Sequence, residues 1–326
     1  MSALTSLDFW SFVGVIAGIY TIFALGLQVQ FGFTGLMNFG HVAFMAISAY
    51  TMAILVVKVG LPLGLAALAA VVAGILFGLV VGLPSLRLRA DYFAITTIAF
   101  AEIVRHVALN WDALTGGSQG TIALAGPLQA ASYNTAWVDF QTRVGGWLSP
   151  ILGEDPNKDL VMLFIVWAAA LVLLVLVQYV IKSPWGRVLK AVREDEDAAA
   201  ALGKNVFSYK LQSLALGAGL GAVAGLFYAF QFSFFSPNDF EPLTTFFAWT
   251  IVILGGTARN WAVPVGAVIF GIIFAGTRFF EFAPFTLFDS PERAYLRLVI
   301  IGLILIALMA FRPQGLLGKR EDLVFE

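Results

Sequence analysis

Nine apolar runs separated by short polar connections set the pattern of this 326-residue chain: 9–28, 36–57, 62–83, 92–109, 160–181, 208–232, 243–256, 262–280 and 295–311. A helix needs roughly 20 predominantly apolar residues to cross the hydrocarbon core of a bilayer, and most of the runs reach about that length. The run at 243–256 is short and is expected to be broken or partly re-entrant. The pattern predicts an all-α fold: a polytopic membrane protein of about nine transmembrane helices, forming one domain over 1–326 in the lipid bilayer.

Small residues recur inside two of the runs. Ala66, Ala70, Gly74, Gly78 and Gly82 occupy every fourth position of the third, and Gly217, Gly221 and Gly225 repeat the device in the sixth. Lipid gives no hydrophobic drive for helix pairing, so close backbone approach through small residues supplies van der Waals energy instead. The stripes predict tight interhelical packing or, alternatively, a surface on which helices slide. Pro84, Pro184, Pro264 and Pro291 stand at or near predicted helix ends, where proline punctuates.

Composition agrees with this pattern and removes several classes of function. Hydrophobic residues make up 60% of the chain and charged residues 12%, against roughly 45–50% and about 25% in a soluble domain. A net charge of −1 offers no broad basic surface, so nucleic acid is not an expected partner. The absence of cysteine excludes disulfides, thiolate metal sites and thiol chemistry. The opening residues MSALTSLDFWSF carry no basic n-region, so a cleaved signal peptide is not expected.

Basic residues predict the orientation. With the C-terminus inside, Arg87, Arg89, Lys182, Arg187, Lys190, Arg193, Lys204, Lys210, Arg259, Arg312, Lys319 and Arg320 all lie inside, 12 of the 19. Acidic residues such as Asp112, Asp139, Glu154, Asp155, Asp159, Asp239 and Glu241 then fall outside. The positive-inside rule favours this arrangement, with the N-terminus out and a cytoplasmic C-terminus.

One inside connection is unlike the others. Residues 182–207 contain SPWGRVLKAVREDEDAAAALGKN, which together with Lys182 carries nine charges in an otherwise oily chain. Good helix formers run through it, and Gly203 is placed as a helix stop. Such a segment is either a solvated loop that fixes topology or a helix that docks a partner, and Ser183 to Gly203 is expected to be helical. Asp197, Ala198 and Ala199, followed by three residues and then Gly203, fit the pattern [E/D]-A-A-x-x-x-G. That pattern resembles the coupling loop with which permeases of ATP-binding cassette (ABC) importers dock on their ATPase.

Four further stretches stand in the order of one family: FGFTGLMNFGHVAFMAISAY (31–50), LRADYFAITTIAFAEIVRHVALNWDALTGGSQG (88–120), ILGGTARNWAVPVGAVIFG (253–271) and FRPQGLLG (311–318). Together with the charged loop they resemble the permease subunit of branched-chain amino acid ABC importers, over about 31–318. The resemblance implies a bacterial or archaeal inner-membrane importer, completed by two cytoplasmic ATPase subunits, a second related permease and a soluble substrate-binding protein. It assigns ATPase coupling to Arg193, Glu196, Asp197, Ala198, Ala199 and Gly203, with the two alanines facing the partner.

Polar groups inside the membrane are costly and face protein or a water-filled path. Thr34, Asn38 and His41 form one such group, and Gly32, Gly35 and Gly40 make an unwound stretch there plausible. Thr97, Glu102 and Arg105 form a second, with Glu102 and Arg105 spaced i, i+3 for a local ion pair. These six residues are the candidates for the substrate path, against helix-to-helix hydrogen bonds and charge neutralisation. The sequence TGGSQG at 115–120 reads as an ordinary turn or as a flexible outer loop near the binding protein.

No residue pattern points to catalysis, a cofactor or a metal. A phosphate-binding loop needs G-x-x-x-x-G-K-[ST]; here Gly203 and Lys204 are followed by Asn205, and Ala198 stands where the first glycine belongs. ATP is therefore expected to be hydrolysed by another chain. The only histidines are His41 and His106, and neither H-E-x-x-H nor G-x-S-x-G occurs. Urea and short amides remain alternative substrates. An ion-coupled secondary transporter that uses Glu102 is the rival mechanism.

Overall fold

The computed structural model describes residues 7–121, 132–152, 157–232, 234–279, 290–312 and 314–318. Helix α1 (Leu7–Leu27) runs on through a π-helical turn (Gln28–Gly32). Then come α2 (Val42–Val57), α3 (Leu63–Ser85), α4 (Ala90–Asn110), the short α5 (Asp112–Thr115) and α6 (Ser132–Leu152). Next are α7 (Lys158–Lys182), α8 (Pro184–Glu194), α9 (Glu196–Ala201) and α10 (Val206–Gln231), and last α11 (Pro242–Gly255), α12 (Ala262–Phe279) and α13 (Ser290–Phe311). The described residues contain no strand.

Among these, five helices are long and apolar enough to cross a membrane, and four shorter apolar helices accompany them. Each predicted run coincides with one of the nine. The second differs at its start: 36–41 is not helical, and α2 begins only at Val42. The seventh is short, as its composition predicts, with 14 residues in α11. Helix α6 is an addition that the apolar pattern did not announce. It packs on α7 and α2, and its Trp137 stacks on Phe230 of α10 at 4.1 Å. Glu154, Asp155, Lys319 and Arg320, used in the orientation argument, lie outside the described residues, as does Pro313 of the last motif.

Burial sorts the helices. Nearly all of α1 is buried, and α7, α10, α11 and α12 pack around it. Helices α3, α4 and α7 bury only a third or less of their most apolar stretch, which leaves broad apolar faces such as Leu65, Leu68, Val72 and Leu76 for lipid. Both small-residue stripes are packing surfaces. A Cβ on Gly74 or Gly78 of α3 would stand 2.6 or 2.7 Å from the Cβ of Ala222 or Ala218 on α10. The glycines of α10 serve the opposite side: a Cβ on Gly217 would meet Gln30 at 2.3 Å, and one on Gly225 would meet the Met45 carbonyl at 2.3 Å. Helix α10 is thus clamped between α3 and the α1–α2 junction.

The last motif closes a helix end. Helix α11 stops at Gly255, leaving carbonyls with no partner in their own helix. The backbone amides of Leu316 and Leu317 donate to the carbonyls of Leu254 and Gly255, both at 2.9 Å. Glycine is required on both sides of this contact, because a Cβ on Gly256 or Gly315 would lie 2.7 or 2.5 Å from backbone atoms of the other segment.

Candidate functional site

The interruption between α1 and α2 collects the buried polar groups of the bundle. Gly35 adopts φ +76°, and the chain stays irregular to His41. Irregular backbone at membrane depth must find partners within the protein, and here side chains supply them. The Thr97 hydroxyl accepts from the Phe39 amide (3.1 Å), Asn38 Oδ1 from the Gly40 amide (2.9 Å) and the Thr245 hydroxyl from the Val42 amide (3.0 Å). Asn38 also donates through Nδ2 to Gln30 Oε1 (2.9 Å), and its carbonyl accepts from Trp249 Nε1 (3.2 Å). Gln30 in turn donates to the Leu214 carbonyl (3.1 Å). Thr34 and Ser213 share a hydrogen bond of 2.6 Å.

His41 completes the set. Its Nε2 donates to the Phe23 carbonyl at 3.2 Å, and the ring lies between Phe23 and Phe44. Its Nδ1 is a buried acceptor without a partner among the described residues. Gln28 holds a neighbouring turn: its side-chain oxygen accepts from the amides of Ala258 and Arg259 at 2.9 and 2.8 Å. That grip keeps Ala258 at φ +62°, a left-handed conformation that alanine adopts at a cost of about 1–2 kcal/mol.

Thr34, Asn38, His41 and Thr97 therefore come together, all of them buried. Glu102 and Arg105 do not join them. They sit farther along α4, about 7–12 Å from Thr97 along the axis at about 1.5 Å per residue. There they form a 2.8 Å ion pair with each other, and Arg105 also donates to Asn238. Gln28, Gln30, Ser213, Thr245 and Trp249 belong to the network and were not foreseen. The two glutamines had a visible signal, since each is an amide among apolar neighbours.

One side of the interruption is apolar and accessible. Phe31, Met37 and Phe39 are half-buried, whereas the alternate residues Gly32, Leu36, Asn38 and Gly40 face inward. Phe39 stacks on Trp249 at 4.9 Å and lies 5.4 Å from Phe246, which is 44% exposed; Phe31 makes an edge-on contact with Trp249 at 4.5 Å. The result is an aromatic wall next to irregular backbone.

The charged connection folds into two helices, not the single helix expected over Ser183 to Gly203. Asp195 breaks it: its backbone is extended, and its carboxylate accepts from the Ala198 amide at 2.9 Å, which starts α9. At the far end Gly203, at φ +77°, and Lys204 donate to the carbonyls of Ala200 and Ala199, the paired closure of a Schellman motif. Ala199 is turned into the chain at 3% exposure, whereas Asp197, Ala198 and Leu202 lie on the outer surface. Glu196 pairs with Lys210 at the start of α10. Gly186 fits directly under α7, where a Cβ would come within 2.0 Å of the Ile181 carbonyl.

Helix α8 then reaches the interruption. Arg193 Nη1 donates to the carbonyl of Gly32, the last residue of the π-helical turn, at 2.6 Å. One turn earlier, Lys190 lies over the Phe33 ring at 5.8 Å. The surface loop and the buried break are therefore joined by a charge-assisted hydrogen bond.

Such a bundle, with a buried polar network at the junction of its first two apolar helices and a two-helix loop fastened to that junction, is a multi-pass membrane permease. A family profile described as "Branched-chain amino acid transport system / permease component" matches residues 10–309, and the chain belongs to that family. The high-affinity branched-chain amino acid transport system permease protein LivM of Salmonella typhimurium is 36% identical over 312 residues, covering 92% of this chain and 68% of its own length. The Escherichia coli K12 protein of the same name is 35% identical over 94% of this chain and 69% of its own length. A probable branched-chain amino acid transport permease protein LivM of Methanocaldococcus jannaschii is 26% identical over 97% and 95%. No solved structure matches the chain.

Proposed function

We propose that this chain is the membrane subunit of an ABC importer for branched-chain amino acids, forming a single permease domain over 1–326 with residues 182–207 as its ATPase-coupling loop. The Arg193–Gly32 hydrogen bond carries this reading, because it gives motion of a docked loop a direct route to the interrupted helix. In the proposed cycle Asp197, Ala198 and Leu202 meet the ATPase while Ala199 and Gly203 shape the helix that presents them. Arg193 and Lys190 pass displacement of that helix to Gly32 and Phe33. The substrate slides along the Phe31, Phe39, Phe246 and Trp249 wall, backed by the Thr34, Asn38, His41 and Thr97 network. An aromatic wall suits an aliphatic side chain better than urea. Glu102, neutralised by Arg105, is poorly placed to carry a coupling ion.

The remaining parts are two cytoplasmic ATPase subunits, a second related permease and a soluble binding protein, in a bacterial or archaeal inner membrane. With these components in proteoliposomes, leucine uptake is expected to require ATP on the loop side, and isoleucine and valine to compete while urea does not. Uptake that ignores ATP and collapses with an uncoupler would instead establish the ion-coupled mechanism.

Orientation has its own test. The chain has no cysteine, so Leu88→Cys places a single thiol between Arg87 and Arg89, on a residue that is 44% exposed and outside the proposed ATPase contact. In intact cells an impermeant maleimide is expected to leave it unlabelled and to label it fully once the membrane is opened. Equal labelling in both conditions would turn the topology over.

A further inference from the structure

Beside the proposed coupling loop lies a cavity of about 560 Å³ that is separate from the aromatic wall proposed for the substrate. Its walls come from the end of α7, from α8, from the turn before α12 and from Leu317. Lys182, Arg187, Lys190 and Arg259 line it, and among the described residues no carboxylate does. Among the described residues, Lys182, Arg187 and Lys190 enter no ion pair, so three cations share one recess without a counter-charge. Helix α12 begins at this wall with Ala262, and the positive end of its dipole adds to the field. Asn260, 2% exposed, closes the floor of the recess by donating to Gln178 at 2.9 Å. The ligand this chemistry recognises is a phosphate-type anion.

The approach to the cavity indicates where that phosphate comes from. Helix α7 shows Leu171, Val172, Val175 and Leu176 to the outside, each about half exposed. This apolar strip ends at Tyr179, 78% exposed, one turn before Lys182, and Trp261 stands exposed on the opposite wall. Tyrosine and tryptophan at the end of an apolar strip mark the headgroup level of a bilayer, and basic pockets between helices at that level bind anionic headgroups. We propose that this recess is a binding site for an anionic phospholipid, whose acyl chains lie along α7 and whose phosphate sits among Lys182, Arg187 and Lys190. The proposal rests on the chain spanning a membrane, and not on which solute is transported. Because Lys190 also touches Phe33, the site adjoins the coupling route.

The test uses the assembled transporter in nanodiscs of phosphatidylcholine with or without phosphatidylglycerol, read by native mass spectrometry after partial delipidation. The wild type is expected to retain phosphatidylglycerol in preference to phosphatidylcholine. The triple variant Lys182→Gln, Arg187→Gln, Lys190→Gln is expected to lose that preference by about a hundredfold, the effect of three basic residues at a charged surface. The single exposed variant Arg187→Gln is expected to lose about fivefold and guards against misfolding of the triple. Retention of both lipids alike by the wild type overturns the proposal, as does an unchanged preference in the triple variant. A parallel titration of phosphatidylcholine discs with inorganic phosphate, followed by phosphorus NMR, separates the sources. Saturable phosphate binding that the triple variant abolishes, without lipid retention, would identify a soluble anion as the ligand and reject the lipid.

Discussion

A Gly40→Ala permease is expected to reach the membrane at a small fraction of the wild-type level and to import nothing measurable. The added Cβ would stand 1.9 Å from the carbonyl oxygen of Thr97 and 2.5 Å from its carbon. Both sides of that contact are backbone, so no rotamer change relieves it. Either α4 moves away from the interruption or the interruption re-forms elsewhere. In both cases the Phe39 amide loses the Thr97 hydroxyl and the Asn38 bonds to Gly40 and Gln30 come apart. Overpacking costs about 1–3 kcal/mol, and each buried polar group left unpaired adds about 1–3 kcal/mol. Summed, these rival the total stability of a typical domain, about 5–15 kcal/mol. Immunoblots of membrane fractions and leucine uptake read the result. Gly64→Ala, where a Cβ meets nothing within 4 Å, should behave as wild type. A Gly40→Ala protein present and active at wild-type levels would mean that α2 and α4 are not in this contact.

The second large effect is expected from Arg193→Met, and it should fall on transport while leaving assembly intact. Methionine keeps much of the apolar stem but cannot donate to the Gly32 carbonyl, a charge-assisted bond worth about 1.5–3 kcal/mol. Loop motion then reaches the π-helical turn only through Lys190 and packing. Uptake should drop more than tenfold while the ATPase still co-purifies and hydrolyses ATP. Gly203→Val provides the contrast. Its Cβ meets no neighbour, but φ +77° is unfavourable for a branched residue, so the end of α9 deforms and ATPase association itself should weaken. Two outcomes would count against this account: wild-type import by Arg193→Met, or loss of the ATPase from both variants alike.

Much of this architecture is written locally in the chain, and the remainder depends on distant partners. The apolar runs place nine helices because length and hydrophobicity suffice to define a span. Helix α6 escaped that reasoning because Asp139, Gln141, Thr142 and Arg143 interrupt its apolar character. The break before α2 was foreshadowed by Gly32, Gly35 and Gly40. What satisfies it, Thr245 and Ser213, lies about 200 residues away and was not legible. In the charged loop, the four consecutive acids include two aspartates, each with the chemistry to cap a helix. Only the fold shows that Asp195 does so, which makes two helices of one and turns Ala199 inward. The Glu102–Arg105 pair followed directly from i, i+3 spacing, whereas its distance from the polar network required the three-dimensional path of α4.

The closure of α11 by Leu316 and Leu317 bears on how this protein is made. The carbonyls of Leu254 and Gly255 are synthesised some sixty residues before the amides that satisfy them. While the ribosome is still translating α13, this helix end has only water or lipid headgroups to turn to. A nascent chain arrested before residue 316 therefore leaves the end of α11 open, a backbone that quality-control proteases can recognise. Residues 316 and 317 are in effect a seal on α11 that can be set only after α13 has been made.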